Sequence, residues 1–193
     1  MSYTAIVDYG VGNLFSISSS LKYLDIDSVV TKDADVLKNA SHIILPGVGA
    51  FGDAMEKLNN SGLSEVIREA VRRKIPLLGI CLGLQLLFEA SEESPGVDGL
   101  SVLKGKIKRI PDKEGYKVPH IGWNSLKINP ESKLFAGIPE DSYVYFVHSY
   151  YLEAEEPIPP IPKEEIKFSS LTFLESSIDF SSFSTDFLPN PSR

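Results

Sequence analysis

Cysteine, tryptophan and histidine are scarce in this chain: 193 residues hold one cysteine, one tryptophan and three histidines. A single cysteine excludes an internal disulfide and fits a reducing compartment. No apolar run approaches the ~20 residues that a membrane-spanning helix needs. The first eight residues lack the basic start and long apolar run of a secretory signal. Basic clusters are limited to Arg72-Arg73-Lys74 and residues 104–109, and the net charge is −7 with a pI near 5.0, which argues against nucleic acid as a partner. These absences point to a soluble, cytoplasmic protein with neither membrane nor nucleic-acid partners. What remains is ordinary globular composition, 42% hydrophobic and 23% charged, long enough for one sizeable core.

Short apolar runs alternate with helical patterns in the first half. Residues 4–8 read as a buried strand ended by Gly10-Val11-Gly12. Leu14, Ile17, Leu21 and Leu24 then recur at helical spacing, predicting an amphipathic helix over 13–24. Strands are predicted at 28–31 and 42–45, with a short helix over 33–40 between them. A helix from about Asp53 carries Met55 and Leu58 inward, and another carries Val66, Ile67, Ala70 and Val71. This alternation implies an α/β fold with a mainly parallel, open sheet flanked by helices. Sites in such sheets lie at the carboxyl ends of strands, so Asp8-Tyr9-Gly10, Pro46-Gly47-Val48-Gly49 and Gly79-Ile80-Cys81 should share one edge. Beyond Phe88 the pattern shifts. Residues 89–99 read as an acidic loop, 104–110 as a half-buried strand and 118–124 as a loop. Residues 125–128 and 143–148 read as further strands forming a smaller antiparallel portion.

The chemistry concentrates at Gly79-Ile80-Cys81-Leu82-Gly83, between a predicted strand and a predicted apolar helix running to Phe88. A strand-to-helix elbow of this form lifts the central side chain clear of the sheet. A Cβ at either glycine would crowd so sharp a turn. A thiol there faces a helix N-terminus, where the reactive thiolate is favoured. The plain alternative is a small residue at a strand end; the flanking glycines favour a nucleophile.

Gly47-x-Gly49-x-x-Gly52 also follows a strand and opens a helix, which taken alone matches a dinucleotide-binding loop. That reading needs an acidic residue ending the next strand, and the next strand here ends in Gly79-Ile80-Cys81. A better reading is a turn presenting backbone N–H groups near Cys81, where with Leu82 N–H it could hold an oxyanion; a plain glycine turn is the alternative. A cysteine nucleophile also wants a histidine base. His42 begins a buried strand and reads as structural, His120 falls in a loop beside Trp123, and His148, ending a strand, is the best placed by spacing.

Four segments in register carry a resemblance: Pro46-Gly47-Val48-Gly49-Ala50-Phe51, residues 79–88, Pro119-His120-Ile121-Gly122-Trp123-Asn124 and Tyr145-Phe146-Val147-His148-Ser149-Tyr150. They resemble the class I glutamine amidotransferases. With Asp8-Tyr9-Gly10-Val11-Gly12-Asn13, they resemble more narrowly the glutaminase subunits that serve an imidazole glycerol-phosphate-forming cyclase in histidine biosynthesis. The resemblance covers residues 4 to about 154. It implies that Cys81 attacks the glutamine side-chain amide, forming a thioester and releasing ammonia. Val48, Gly49 and Leu82 would form the oxyanion hole, and Gln85, Glu93, Ser149 and Tyr150 would hold glutamine. Asn13, Pro119, Ile121 and Trp123 would dock a (β/α)8-barrel cyclase as a heterodimer, into which ammonia passes. No cofactor and no metal is implied, and His148 becomes a motif residue rather than the base.

The resemblance also implies a closing Phe-His-Pro-Glu whose His and Glu complete the catalytic triad. No histidine follows His148 in these 193 residues. The pattern breaks after Ala154, where Pro157, Pro159, Pro160 and Pro162 crowd together and a Ser/Phe-rich stretch follows. The expected organisation is therefore an amidotransferase domain over 1–154, incomplete at its C-terminal side, and an aberrant tail over 155–193, as a frameshift, a misjoined reading frame or an altered terminus would produce. Very low or absent glutaminase activity is the corresponding expectation. The alternatives are a non-catalytic cyclase-binding subunit and a cysteine hydrolase of the same architecture acting on a peptide or ester.

Overall fold

The computed structural model describes residues 2–112, 117–130, 132 and 134–154. The predicted tail over 155–193 lies outside the described residues. Four strands form a parallel sheet: β1 (Thr4–Val7), β2 (Ser28–Thr31), β3 (His42–Leu45) and β4 (Leu77–Gly79), in the order β2-β1-β3-β4. Helices α1 (Leu14–Tyr23), α2 (Ala34–Lys38), α3 (Phe51–Asn60) and α4 (Leu63–Arg72) connect them. The register Ile6↔Ile44 and Leu45↔Gly79 brings the carboxyl ends of β1, β3 and β4 to one edge, as the sequence predicts.

Side chains alternate across the sheet because successive strand residues face opposite ways. Ala5, Val7, Ile43, Leu45 and Leu77 enter one large core with Leu37, Phe51, Met55, Leu58 and Ile67 from α2, α3 and α4. Ile6, Ile44 and Leu78 face the other way and meet Leu21 of α1. The α3 N-terminus begins two residues before the predicted Asp53, at Phe51, which is fully buried.

The second half departs further from expectation. After a one-turn helix α5 (Leu82–Gln85), β5 (Ala90–Ser91) interrupts the predicted acidic loop and pairs with β6 (Gly105–Arg109). The segment 118–124, expected to be a loop, supplies most of β7 (His120–Ser125), and the strand expected over 125–128 ends instead at Ser125. Strand β7 pairs antiparallel with β8 (Tyr143–His148), and β9 (Tyr150–Ala154), which the periodicity did not announce, pairs antiparallel with β6. Gly122 and Asn124 hid the alternation, because neither is a strand former, yet the burial pattern of β7 alternates strictly. Among the described residues no helix is long and apolar enough to cross a membrane.

Candidate active site

Close backbone packing builds the elbow. A Cβ added at Gly79 would lie 2.5 Å from the Cα of Leu84, and one at Gly83 would strike the Leu45 carbonyl oxygen. Both positions thus require glycine for lack of space. Cys81 between them adopts φ 55° and ψ −119°, a conformation L-residues rarely hold, and its side chain is exposed and free. Strain of this kind, of order 1–3 kcal/mol, persists only where the surroundings over-determine it. Here the Ile80 N–H donates to the Leu45 carbonyl (3.0 Å), the Gly83 N–H to Ile80 (2.9 Å) and the Leu84 N–H to Cys81 (3.0 Å). The helix behind the thiol corrects the sequence reading. It spans Leu82–Gln85 only, and the chain then tightens into i→i−3 bonds at Leu87 and Phe88. One turn supplies less of a dipole at Cys81 than a helix to Phe88 would.

The glycine turn is seated against this elbow. A Cβ on Gly47 would lie 2.5 Å from Gly83 N and 2.9 Å from the carbonyl carbon of Leu82, so the two backbones touch. Gly49 has φ +92° with open space around it, and Val48 is 53% exposed. The exposed Val48-Gly49 peptide therefore stands beside the Leu82 end of the elbow. Two contacts from β1's loop hold the turn. The buried Tyr9 hydroxyl donates to the Pro46 carbonyl at 2.8 Å, and burial pushes that phenol's pKa upward, beyond the range where it ionises. Gly12, at φ +117°, backs onto the Pro46 ring with no room for a Cβ.

Glu93 is placed next to the same turn for a reason the sequence did not reveal. Ala50, the N-cap of α3, has no side-chain cap. The Phe51 N–H donates instead to Glu93 Oε2 (2.9 Å), and the Gly52 N–H to Ser94 Oγ (3.0 Å). Two first-turn donors are thus satisfied from across the chain. The neighbouring carboxylates act likewise: Glu89 accepts from the Gly105 N–H and Glu92 from the Arg109 N–H, so the acidic loop clamps β6. Gln85 is half-buried in the last turn of α5.

Ser149 and Tyr150 lie at the junction where the chain leaves the β7–β8 ribbon for β9. The Ser149 carbonyl accepts from the Ile110 N–H (2.9 Å), and the Tyr150 ring packs on the core that contains Leu82. His120 and His148 face each other across the ribbon, Nδ1 to Nε2 at 3.1 Å. Asn124 Nδ2 reaches His120 Nε2 (3.1 Å), and His148 Nδ1 reaches the Tyr150 carbonyl (3.0 Å). Burial and the neighbouring His148 hold the His120 pKa below its usual value, and burial lowers that of His42. His120 thus sits on a strand, not in the expected loop. The ribbon's other face is apolar and open: Ile121 (57% exposed), Trp123 (65%) and Val147 (62%), with Trp123 edge-on to Tyr145 at 5.5 Å. Pro119 is exposed just before it. Asn13, also exposed, caps α1 by accepting from the Ser16 N–H (3.1 Å).

The structure thus seats Gly47, the start of the turn carrying Val48 and Gly49, on Leu82 and Gly83 of the elbow, with Glu93 capping the helix that follows the turn. Ser149 and Tyr150 arrive from a separate strand junction, while Ile121 and Trp123 stand on a different sheet. Sequence reasoning set Tyr9 on the shared edge but not its bond to Pro46; an aromatic two residues after β1, where sites gather, was the available signal.

The profile of the class-I glutamine amidotransferases matches residues 5–172, continuing past Ala154. The imidazole glycerol phosphate synthase subunit HisH of Geobacillus thermodenitrificans is 48% identical over 156 residues, 79% of this chain and 73% of that protein. Its counterpart from Moorella thermoacetica is 50% identical over 161 residues (83% and 72%), and that from Methanothermobacter thermautotrophicus 52% over 149 residues (77% and 73%). Among solved structures, one described as a glutamine amidotransferase superposes with a TM-score of 0.60 at 19% identity, covering 77% of this chain and 72% of that one, a likeness of fold. A strained cysteine on a glycine-packed elbow, a facing glycine turn and a matching profile over most of the length agree: the chain belongs to the class-I glutamine amidotransferase family.

Proposed function

We propose that this chain is the glutaminase component of an imidazole glycerol phosphate synthase, working in histidine biosynthesis. The observation that carries the reading is the exposed Cys81, held at positive φ between two glycines, with Gly47, the start of the Val48-Gly49 turn, packed against Leu82 and Gly83. The Cys81 thiolate attacks the glutamine amide carbon. A C–S bond forms, and the carbonyl electrons move onto oxygen. The N–H groups of Leu82 and of the Val48-Gly49 turn stabilise that oxyanion. As the intermediate collapses the C–N bond breaks and the amide nitrogen takes up a proton, leaving as ammonia and a glutamyl thioester; water then releases glutamate and restores the thiol. Gln85, Glu93, Ser149 and Tyr150 hold the substrate. Asn13, Pro119, Ile121 and Trp123 dock a (β/α)8-barrel cyclase that receives the ammonia. Residues 1–154 form the amidotransferase domain in this reading, and 155–193 a separate tail.

The family's triad histidine has no counterpart after His148 in these 193 residues. Labelling separates the chemistry from its rate. A diazoketone analogue of glutamine should alkylate Cys81, as read by peptide mass, and glutamine should slow the reaction. Cys81→Ala should take up no label. Labelling indifferent to glutamine would count against the glutaminase reading.

A further inference from the structure

Two of the three histidines have no place in the chemistry above, yet they are joined in one line of hydrogen bonds. The Tyr150 carbonyl can only accept, so His148 Nδ1 must carry a proton. In a neutral ring His148 Nε2 is then an acceptor, and His120 Nδ1 must donate to it across 3.1 Å. His120 Nε2 is left as an acceptor, filled by Asn124 Nδ2. Every link has a matched donor and acceptor when both rings are neutral. A proton added to His148 Nε2 would turn the link to His120 around and set two donors against each other at Asn124. The depressed His120 pKa agrees with the neutral arrangement. The rings are also confined by packing: the centroids of His120 and His148 each lie within 5.5 Å of the Phe146 ring.

The line ends at a particular place. His148 closes β8, Tyr150 opens β9, and Ser149 is the bend between them. The Ser149 carbonyl is tied to Ile110, so the His148 bond to the Tyr150 carbonyl is the second brace on this two-residue junction. The line begins on β7, whose inward residues His120 and Asn124 alternate with the outward Ile121 and Trp123. We infer that His148, held in one tautomer by His120 and Asn124, is a positioning residue that sets the Ser149-Tyr150 backbone for glutamine and ties it to strand β7. The inference rests on the glutaminase reading, in which those two residues hold the substrate.

The test is protection of Cys81 from iodoacetamide by glutamine, measured on the full chain, with a thermal melt of each variant as the folding control. His148→Asn keeps an amide donor where Nδ1 sits and loses the reach to His120. His148→Gln keeps a group near Nε2 and loses the brace. Loss of one hydrogen bond predicts that half-protection by glutamine needs about tenfold more ligand in His148→Gln, but stays within about twofold in His148→Asn. His120→Phe, which keeps ring packing on Phe146, raises the requirement about threefold alone and adds nothing on the His148→Asn background, since the relay is already cut there. Equal values for the Asn and Gln variants would overturn the brace, and an undiminished His120→Phe effect in the double variant would overturn the relay. If glutamine fails to protect even the unaltered chain, the glutaminase reading falls and the inference with it.

Discussion

The elbow around Cys81 and the β7–β8 ribbon are built on opposite principles. At the elbow, backbone meets backbone: Gly47, Gly79 and Gly83 let β3's turn, β4 and α5 approach until no Cβ fits. In the ribbon, side chains do the joining, through the His120–His148 link on one face and the Trp123–Tyr145 contact on the other. The first arrangement fixes a strained cysteine and tolerates no added atom. The second leaves an apolar face open and can be altered one group at a time. Rigidity is concentrated where bonds would be made, and adaptability where a partner would sit.

The largest expected effect breaks the elbow. Gly83→Ala drives a methyl into the Leu45 carbonyl, and neither strand β3 nor α5 can yield without opening the buried core. Urea unfolding should show a loss of at least about 3 kcal/mol. A loss below about 1 kcal/mol would mean that the elbow can relax, and the contrast with the ribbon would weaken. Next, Trp123→Ala tests whether the ribbon's open face is a docking surface. Its ring is 65% exposed, so the unfolding free energy should hardly move. Affinity for the barrel cyclase, by calorimetry, should fall about 30-fold or more if Trp123 is a central anchor.

The smallest effect is one of pH. His42 and His120 both have pKa values lowered by burial, so the unfolded chain binds protons more readily than the folded one. Their neutral forms support the fold fully above about pH 6.5, and that support is lost as pH falls below it. Melting temperature should therefore decline as the pH falls below about 6.5. His120→Phe should flatten part of the decline, separating the ribbon's share from that of His42 on β3. An unchanged slope would place the effect elsewhere.

Much of this was readable from residue order alone. Strands β1, β2, β3 and β8 match their predicted runs to within a residue, because short runs rich in β-branched and aromatic residues favour a strand. The shared edge of Tyr9, Gly47 and Cys81 also followed, since parallel strands must present their carboxyl ends together. The extent of α5 did not, because the apolar residues 84–88 suit a helix as well as the tightened turns they form. Strand β7 was missed for the complementary reason: glycine, asparagine and a preceding proline are loop residues by propensity, and pairing with β8 overrides them.

The site divides along the same line. Sequence by itself determined the elbow and the family, because those depend on glycines and a cysteine at fixed local spacing. Only the tertiary structure decided that Glu93 caps α3 from 42 residues away, that Tyr9 pins Pro46 across 37, and that His120 and His148 meet across 28. Strand register sets the last of these, since a one-residue slip would turn each ring to the other face, whereas the first two depend on where the packed elements carry their loops. Local spacing carries no record of that choice; the packing of the whole chain makes it.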